Sequence, residues 1–475
     1  MKLDKALIDT YSWSERPKTT CELYHAAITL ELLPSVQSSV YAYLHFPSNK
    51  AGQNLSKNSN QKRLKELIKN IYASLDFTYK YNLARNHKCD IIFNFISNQI
   101  NYLGIQKRLS KQCLSQGLST GIIYGGEIEN CADFNENFSF SLKFSISKSR
   151  KKQIIEQCKY VVARLNNFNV GNFDEETEYL KLVNTAVHIE QKAIWMRHLL
   201  EVKRPKLVIL TNEKDLNDTA MQIACKDTGT LSVLIPHGFP QRSQYPIAAS
   251  FVTSYCLHHD SYLKKLSLTS ERVKELGWLE PTVTLDDSFK AFSKKNATVE
   301  QREKYNILFL SQFTGCDVHR CTSLIERFPN ILRALDKMDR VETVTLRLRP
   351  NEVNNIFIKA FLAECGCSKL RVSSAHESLA ENLKASNIVM AFSSTGLLYG
   401  PYLNMKAIEI RDEAINAVWG GTVLPPEQVY QIGDNFKANE FNEFVAESPT
   451  LNGEDVFYNW NCELEGFAEF LNTII

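Results

Sequence analysis

The stretch PKLVILTNEKDLNDTAMQIACKDTGTLSVLIPHGFP, residues 205–240, decides the fold. LVIL is an unbroken apolar run, Asp215 to Thr228 has helical spacing closed by Gly229, and LSVLI is a second apolar run stopped by Pro236-His237-Gly238. Apolar runs of this length on either side of a helix read as parallel strands buried on both faces. The same grammar occurs at 89–124, where CDIIFNFI, a helix through INYLGIQKRLSKQCLSQ, a Gly117 stop and LSTGIIY form a second β-α-β unit. Residues 149–165 and 175–202 read as long amphipathic helices that cover a sheet face.

A charged segment, 286–306, breaks the rhythm and reads as an interdomain linker. The alternation restarts at YNILFLSQ and runs through a helix at 321–338, VETVTLRLRP, a helix at 351–364, KLRVSS, SLAENLKAS, NIVMAFSS, TGLLYGPYL as a helix, and KAIEIR. The expected organisation is an α/β domain over 1–285 with an irregular start of about 85 residues, the linker, a second doubly wound domain over 307–452, and a closing helix over 453–475. In that helix Phe457, Trp460, Phe467 and Phe470 recur at helical spacing. Two doubly wound domains joined by a linker enclose a cleft, and ligands of open α/β sheets sit at the carboxyl ends of the strands.

Composition removes several classes of function. The chain has 475 residues, 44% hydrophobic and 23% charged, with a net charge of +2, which is no electrostatic footprint for nucleic acid. The N-terminus lacks the apolar core of a secretory signal, and no run approaches 18 apolar residues. Twelve scattered cysteines, with only Cys316/Cys321 and Cys365/Cys367 close together, suggest reduced thiols and a cytoplasmic protein.

Chemistry-bearing residues collect where strands end. In NIVMAFSSTGLLYG the strand gives way to Ser393, Ser394, Thr395 and Gly396, whose hydroxyls and N–H groups suit a phosphate, or simply cap the next helix. In TLRLRP, Arg347 and Arg349 alternate onto one face near the strand's end, as a pair for an anion or as a solvated edge. Glu409 is placed to accept ribose hydroxyls, and Gln312 ends the strand ILFLSQ. His237, held between Pro236 and Gly238, is placed to exchange a proton with a substrate hydroxyl or phosphate, or to pin the turn. Glu127 and Glu129 after the second strand, and Asp215 and Asn212 after LVIL, are competing bases or ordinary caps; Asn94 ends the first strand. His258, His259 and Asp260 look like a metal cluster, but adjacent strand positions point apart. No metal site and no cofactor are expected, and no Asp-x-Asp triplet is present.

The paired Rossmann-like domains, the PHG turn, the strand ILFLSQF and the turn AFSSTGLLYG resemble GT-B glycosyltransferases. More narrowly they are similar to bacterial surface-polysaccharide enzymes: sialyltransferase-like and ulosonic-acid transferases and CDP-glycerol glycerophosphotransferases. The resemblance covers roughly residues 85–455 as an architecture. It implies a metal-independent transferase that takes a CMP- or UDP-linked sugar as co-substrate. The donor nucleotide would be held by Gln312, Arg347, Arg349, Ser393, Ser394, Thr395, Gly396 and Glu409. His237, Glu127 or Asp215 would act on a glycan or lipid-linked glycan acceptor, with peripheral contact with the inner membrane left open. Where sialyltransferase-like members carry His-Pro, this chain has Arg349-Pro350, and arginine holds a phosphate but donates no proton near neutrality. The alternatives are a glycerophosphotransferase, in which His376 is the candidate second histidine, and a non-catalytic partner in polysaccharide assembly.

Overall fold

The computed structural model describes residues 32–45, 88–95, 100–124, 133–139, 145–166, 175–212, 215–236, 238, 248–265, 268–285, 304–311, 318–349, 352–353, 362, 365–374, 376–412, 422–432, 436–460 and 462–475. The first domain contains α1 (Pro34–His45), β1 (Ile91–Phe95), α2 (Ile100–Ser115), β2 (Thr120–Tyr124), β3 (Glu136–Ser139), α3 (Lys148–Asn166), α4 (Glu175–Lys203), β4 (Leu207–Leu210), α5 (Leu216–Thr228), β5 (Leu231–Leu234), β6 (Phe251–Ser254), α6 (Leu257–Lys265), β7 (Val273–Glu275) and the single turn α7 (Pro281–Thr284). Its strands pair in the order β3-β2-β1-β4-β5-β6-β7, and every pairing is parallel.

The second domain contains β8 (Tyr305–Leu310), α8 (Val318–Asp336), β9 (Val341–Arg347), β10 (Leu370–Val372), α9 (Leu379–Lys384), β11 (Ile388–Ala391), α10 (Tyr399–Tyr402), β12 (Lys406–Arg411), β13 (Val429–Gln431) and α11 (Ala438–Glu447). The order β10-β9-β8-β11-β12-β13 is again wholly parallel. Both sheets thus grow outward in one direction from their first strand, return, and grow in the other. This is doubly wound topology, with a crevice where the direction reverses, at β1/β4 and at β8/β11. The chain consists of two Rossmann-like α/β domains.

The strand sequences alternate apolar side chains between two covered faces. Ile92, Val208 and Leu210 point toward the C-terminal half of α4, with Ile189, Trp195, Met196 and Leu199. Ile91, Phe93, Leu207 and Ile209 point to the other face, against Ile105 and Leu109 of α2. The N-terminal half of α4 carries Leu182 and Ala186 away from the sheet into a separate cluster with Val36 and Val40 of α1 and Ile154 and Val161 of α3. Gly117 and Gly229 end α2 and α5 with φ of 77° and 69°, a conformation that costs a Cβ-bearing residue about 1 kcal/mol or more.

Three expectations change in detail. TGLLYGPYL is not one helix but a four-residue 3-10 turn, Thr395–Leu398, followed by the single α turn α10. Asn404, at φ 54°, ends it and the chain enters β12 two residues later. β8 begins at Tyr305, inside the expected linker, of which 286–303 lies outside the described residues. The closing segment forms two helices, α12 (Gly453–Val456) and α13 (Glu463–Ile474), and α13 packs Phe467, Phe470 and Leu471 onto the first domain's sheet beside α2.

The domains are joined through aromatic packing around Trp278, in the segment leaving β7. Its ring stacks on Phe457 at 5.9 Å and 11°, and meets Tyr399 edge-on at 4.7 Å. Gly277, at φ 94°, lies so close that a Cβ there would be 2.6 Å from the Tyr458 carbonyl oxygen. Trp278→Ala removes a buried ring from this joint, and is expected to cost ~3–5 kcal/mol. A lowered urea midpoint, followed by tryptophan-independent circular dichroism, checks it.

Candidate functional site

In the second domain the switch-point crevice lies between the ends of β8 and β11. Gly396 packs over β8 so tightly that a Cβ would lie 2.6 Å from Leu310 Cδ1. A larger residue fits there only if the Leu310 side chain shifts. Ser393 adopts φ 54°, a strained conformation for a residue with a side chain, and its hydroxyl donates to Glu409 Oε1 at 2.7 Å. Ser394 caps the 3-10 turn, its Oγ accepting from the Gly396 N–H at 3.3 Å. The hydroxyls of both serines therefore shape the turn.

Glu409 is fully buried on β12. Its Oε2 accepts from the N–H groups of Val423 and Leu424 at 2.7 and 2.9 Å, and Arg411 Nη1 lies 3.5 Å from Oε1. Burial raises its pKa, and Arg411, the two backbone donors and Ser393 pull it back. The carboxylate thus ties the Ser393 turn, β12 and the 422–424 segment together. Glu409→Ala strips Arg411 of its carboxylate partner and leaves two N–H groups unpaired, with an expected loss of ~3–5 kcal/mol. A fall in thermal midpoint relative to wild type is the check.

The two arginines of TLRLRP separate in role. Arg347 ends β9 and turns along the domain, donating to the Glu377 carbonyl at 2.8 Å, where burial lowers its pKa and Glu377 and Glu381 raise it. Arg349 lies beyond the strand with an exposed side chain. Its N–H donates to Ser311 Oγ at 3.2 Å and to Glu352 Oε2 at 2.9 Å, and Ser311 itself donates to the buried Glu352. Glu352 thereby folds the loop after β9 back onto the end of β8.

In the first domain the crevice is floored by Asp218. It accepts from Asn94 Nδ2 and from the N–H groups of Thr211 and Asn212, at 3.0 and 2.6 Å. Burial, reinforced by the charge of Asp215, pushes the Asp218 carboxyl well above the usual range. Asp215 itself is exposed and caps α5, accepting from the Asn217 N–H at 2.8 Å. His258 and His259 lie on α6, not a strand: His258 Nε2 donates to the Thr422 carbonyl across the domains at 2.7 Å. His259 is buried against Tyr255, and burial, with His258 nearby, lowers its pKa to about 3. His237, Glu127, Glu129 and Gln312 lie outside the described residues.

The two crevices face one another. A Cβ on Gly238, in the turn after β5, would lie 3.0 Å from Thr395 Oγ1 of the second domain. Between them, Thr284 and Tyr399 hydroxyls meet at 2.5 Å. Beside this bridge is a glutamate that the sequence reading passed over, Glu280 in GWLEP. Burial lifts its carboxyl to about 7, and a hydrogen bond from Tyr399 holds it from rising further. Its signal in the sequence was faint: a lone acid between an apolar run and a proline.

Because the folded pKa of Glu280 lies above the unfolded value, the folded state keeps a proton that the unfolded chain has lost between about pH 4.5 and 7. Its contribution to stability is therefore full below that window and falls as pH rises through it. Denaturation midpoints measured across the window are expected to decline less steeply in Glu280→Gln than in wild type.

No family model and no curated protein matches the sequence. Solved structures do resemble the chain. A UDP-GlcNAc 2-epimerase from Neisseria meningitidis, bound to UDP-GlcNAc, aligns at 12% identity over 81% of this chain and 99% of its own, with a TM-score of 0.48. MurG from Acinetobacter baumannii aligns at 10% identity over 82% and 99%, with a TM-score of 0.43. The glycosyltransferase SnogD from Streptomyces nogalater aligns at 13% identity over 82% and 100%, with a TM-score of 0.40. Among the described residues no helix is long and apolar enough to cross a membrane.

Proposed function

We propose that this chain is a GT-B glycosyltransferase, which holds a CMP- or UDP-linked sugar mainly on its second domain and passes the sugar to a saccharide hydroxyl held mainly on its first. The observation that carries this reading is the approach of Gly238 to Thr395, which turns two switch-point crevices toward one another. Crevices at the carboxyl ends of parallel strands are where α/β sheets bind nucleotides, and two of them facing make one cleft for two substrates.

In this reading Thr395, Gly396 and the exposed Arg349 meet the donor phosphate, supported by Ser393, Ser394 and Glu409 behind the turn. Arg347 and Gln312 complete the nucleotide side. Cationic and N–H donors aimed at the departing phosphate stabilise the charge that develops there, so the reaction runs without a metal ion or cofactor. His237, with Glu127 and Asp215, belongs to the acceptor side. The acceptor is a surface glycan or a lipid-linked precursor, and the enzyme works in the cytoplasm, peripheral to the inner membrane when its acceptor is lipid-linked. The fit of the two domains excludes water that would otherwise hydrolyse the donor.

Thermal unfolding of the purified protein with UDP, CMP, CDP and GDP tests the reading. A nucleotide at about 100 times its dissociation constant adds ~2.7 kcal/mol of stability. A stabilisation selective for one pyrimidine nucleotide is expected, reduced in Arg349→Ala. Absence of a shift with any of the four contradicts the reading.

A further inference from the structure

At the carboxyl ends of β4 to β7, beside the contact of Glu280 with Tyr399 of the second domain, is a cavity of about 20 Å³, room for one water-sized group. It is lined by Ile105, Ile235, Pro236 and Trp278 on its apolar side, and by Gln106, Thr211, Tyr255 and Glu280 among its polar residues. Gln106 is only 2% exposed, and its Oε1 is buried with no hydrogen-bond partner among the described residues. A buried amide oxygen left unpaired costs about 1–3 kcal/mol, so a group that occupies the cavity and bonds to it recovers that cost. The two ends of a side-chain amide exchange by a half-turn. Gln106 is therefore able to present either a carbonyl oxygen to a water or an N–H to a hydroxyl oxygen.

Glu280 shares this cavity. It is partly exposed as a residue, but its carboxyl is enclosed by protein and hydrogen-bonded to Tyr399. Gln106, Thr211 and Tyr255 line the cavity with it, and none of these, nor Tyr399, carries a charge at neutral pH. Among the described residues these bring no charge to the carboxylate, and Tyr399 is the group bonded to it, which is the setting of a proton acceptor that works near neutrality.

We propose that this cavity seats the reacting hydroxyl of the acceptor, with the Gln106 amide holding the hydroxyl oxygen and Glu280 taking its proton. The inference rests on the transferase reading and deepens it. The acceptor oxygen attacks the anomeric carbon of the donor sugar and its proton passes to Glu280. The bond from that carbon to the phosphate oxygen breaks, and its electron pair leaves with the nucleotide. A direct displacement of this kind inverts the anomeric centre. The apolar side of the seat fits a secondary sugar alcohol, a C–H face beside an O–H, better than a charged acceptor.

The test compares wild type, Glu280→Gln and Tyr399→Phe in two measurements on the full chain. The first is binding of UDP and CMP by calorimetry. The second is release of UDP or CMP from UDP-N-acetylglucosamine and CMP-N-acetylneuraminic acid, with a mixture of methyl glycosides as acceptors, across pH 5 to 9. Wild type is expected to gain activity as pH rises through about 7, where Glu280 ionises. Glu280→Gln is expected to bind nucleotide as wild type does, to lose ~10²–10⁴-fold in turnover and to lose that limb of the pH profile. Tyr399→Phe removes the bond that favours the carboxylate, so its limb moves to higher pH; this variant decides the matter if Glu280→Gln does not fold. Nucleotide binding with Glu280→Gln turnover within threefold of wild type, or an unmoved limb in Tyr399→Phe, overturns the inference and leaves the transferase reading standing. Failure of wild type to bind either nucleotide overturns that reading, and the inference with it. Nucleotide binding by wild type with no release from either donor also overturns the inference.

Discussion

The structure depends on the packing of Trp278 between two domains that each have their own core. The indole is buried with Tyr399, Tyr402 and Phe457, and the 276–279 segment is fixed from below by Asn459, whose side chain donates to the Leu276 carbonyl at 3.2 Å. Tyr402 donates to the buried Glu463 at 2.7 Å, and Trp460 donates to the Tyr402 carbonyl at 3.1 Å, so the end of the chain is bound into the same joint. An aromatic joint of this kind is rigid in the way close-packed interiors are: it holds its geometry or it comes apart. It therefore sets the relation between the two sheets.

That constraint gives the rest of the site its meaning. Each doubly wound sheet would carry a crevice by itself. The joint brings the turn after β5 against the turn after β11 and places Glu280, two residues beyond Trp278, within reach of Tyr399. Behind the second crevice, Glu409 ties Ser393 to the 422–424 segment, and Glu352 ties the loop after β9 to the end of β8. Buried carboxylates anchoring turns are costly to desolvate. Here the cost is offset by backbone N–H donors, hydroxyls and Arg411, and the result is a set of turns with defined positions.

Much of the architecture was legible because parallel strands buried on both faces leave a strong trace. LVIL, LSVL, IVMA and YNILFL are near-continuous apolar runs, and Gly117 and Gly229 mark helix ends that the structure places in left-handed conformation. TGLLYGPYL was read as one helix because periodicity over so few residues does not distinguish a helix from a 3-10 turn joined to an α turn. The site was less legible. Ser393, Glu409 and Arg347 were singled out as ligand groups, and the structure shows that each is also bonded to protein partners, which sequence position does not reveal. Glu280 and Gln106 were missed for the converse reason. Little local marks them, and only the folded chain brings α2, the ends of β4 to β6 and the segment after β7 around one cavity.

The central claim is that the facing carboxyl ends of the two sheets form one nucleotide-sugar cleft. A crystal structure of the protein grown with the nucleotide that stabilises it addresses this most directly. The account predicts density for the phosphate beside Thr395 and Gly396, at the ends of β8 and β11, with the sugar end directed toward Glu280. Nucleotide density at the amino-terminal edge of either sheet, or anywhere outside the cleft, contradicts it.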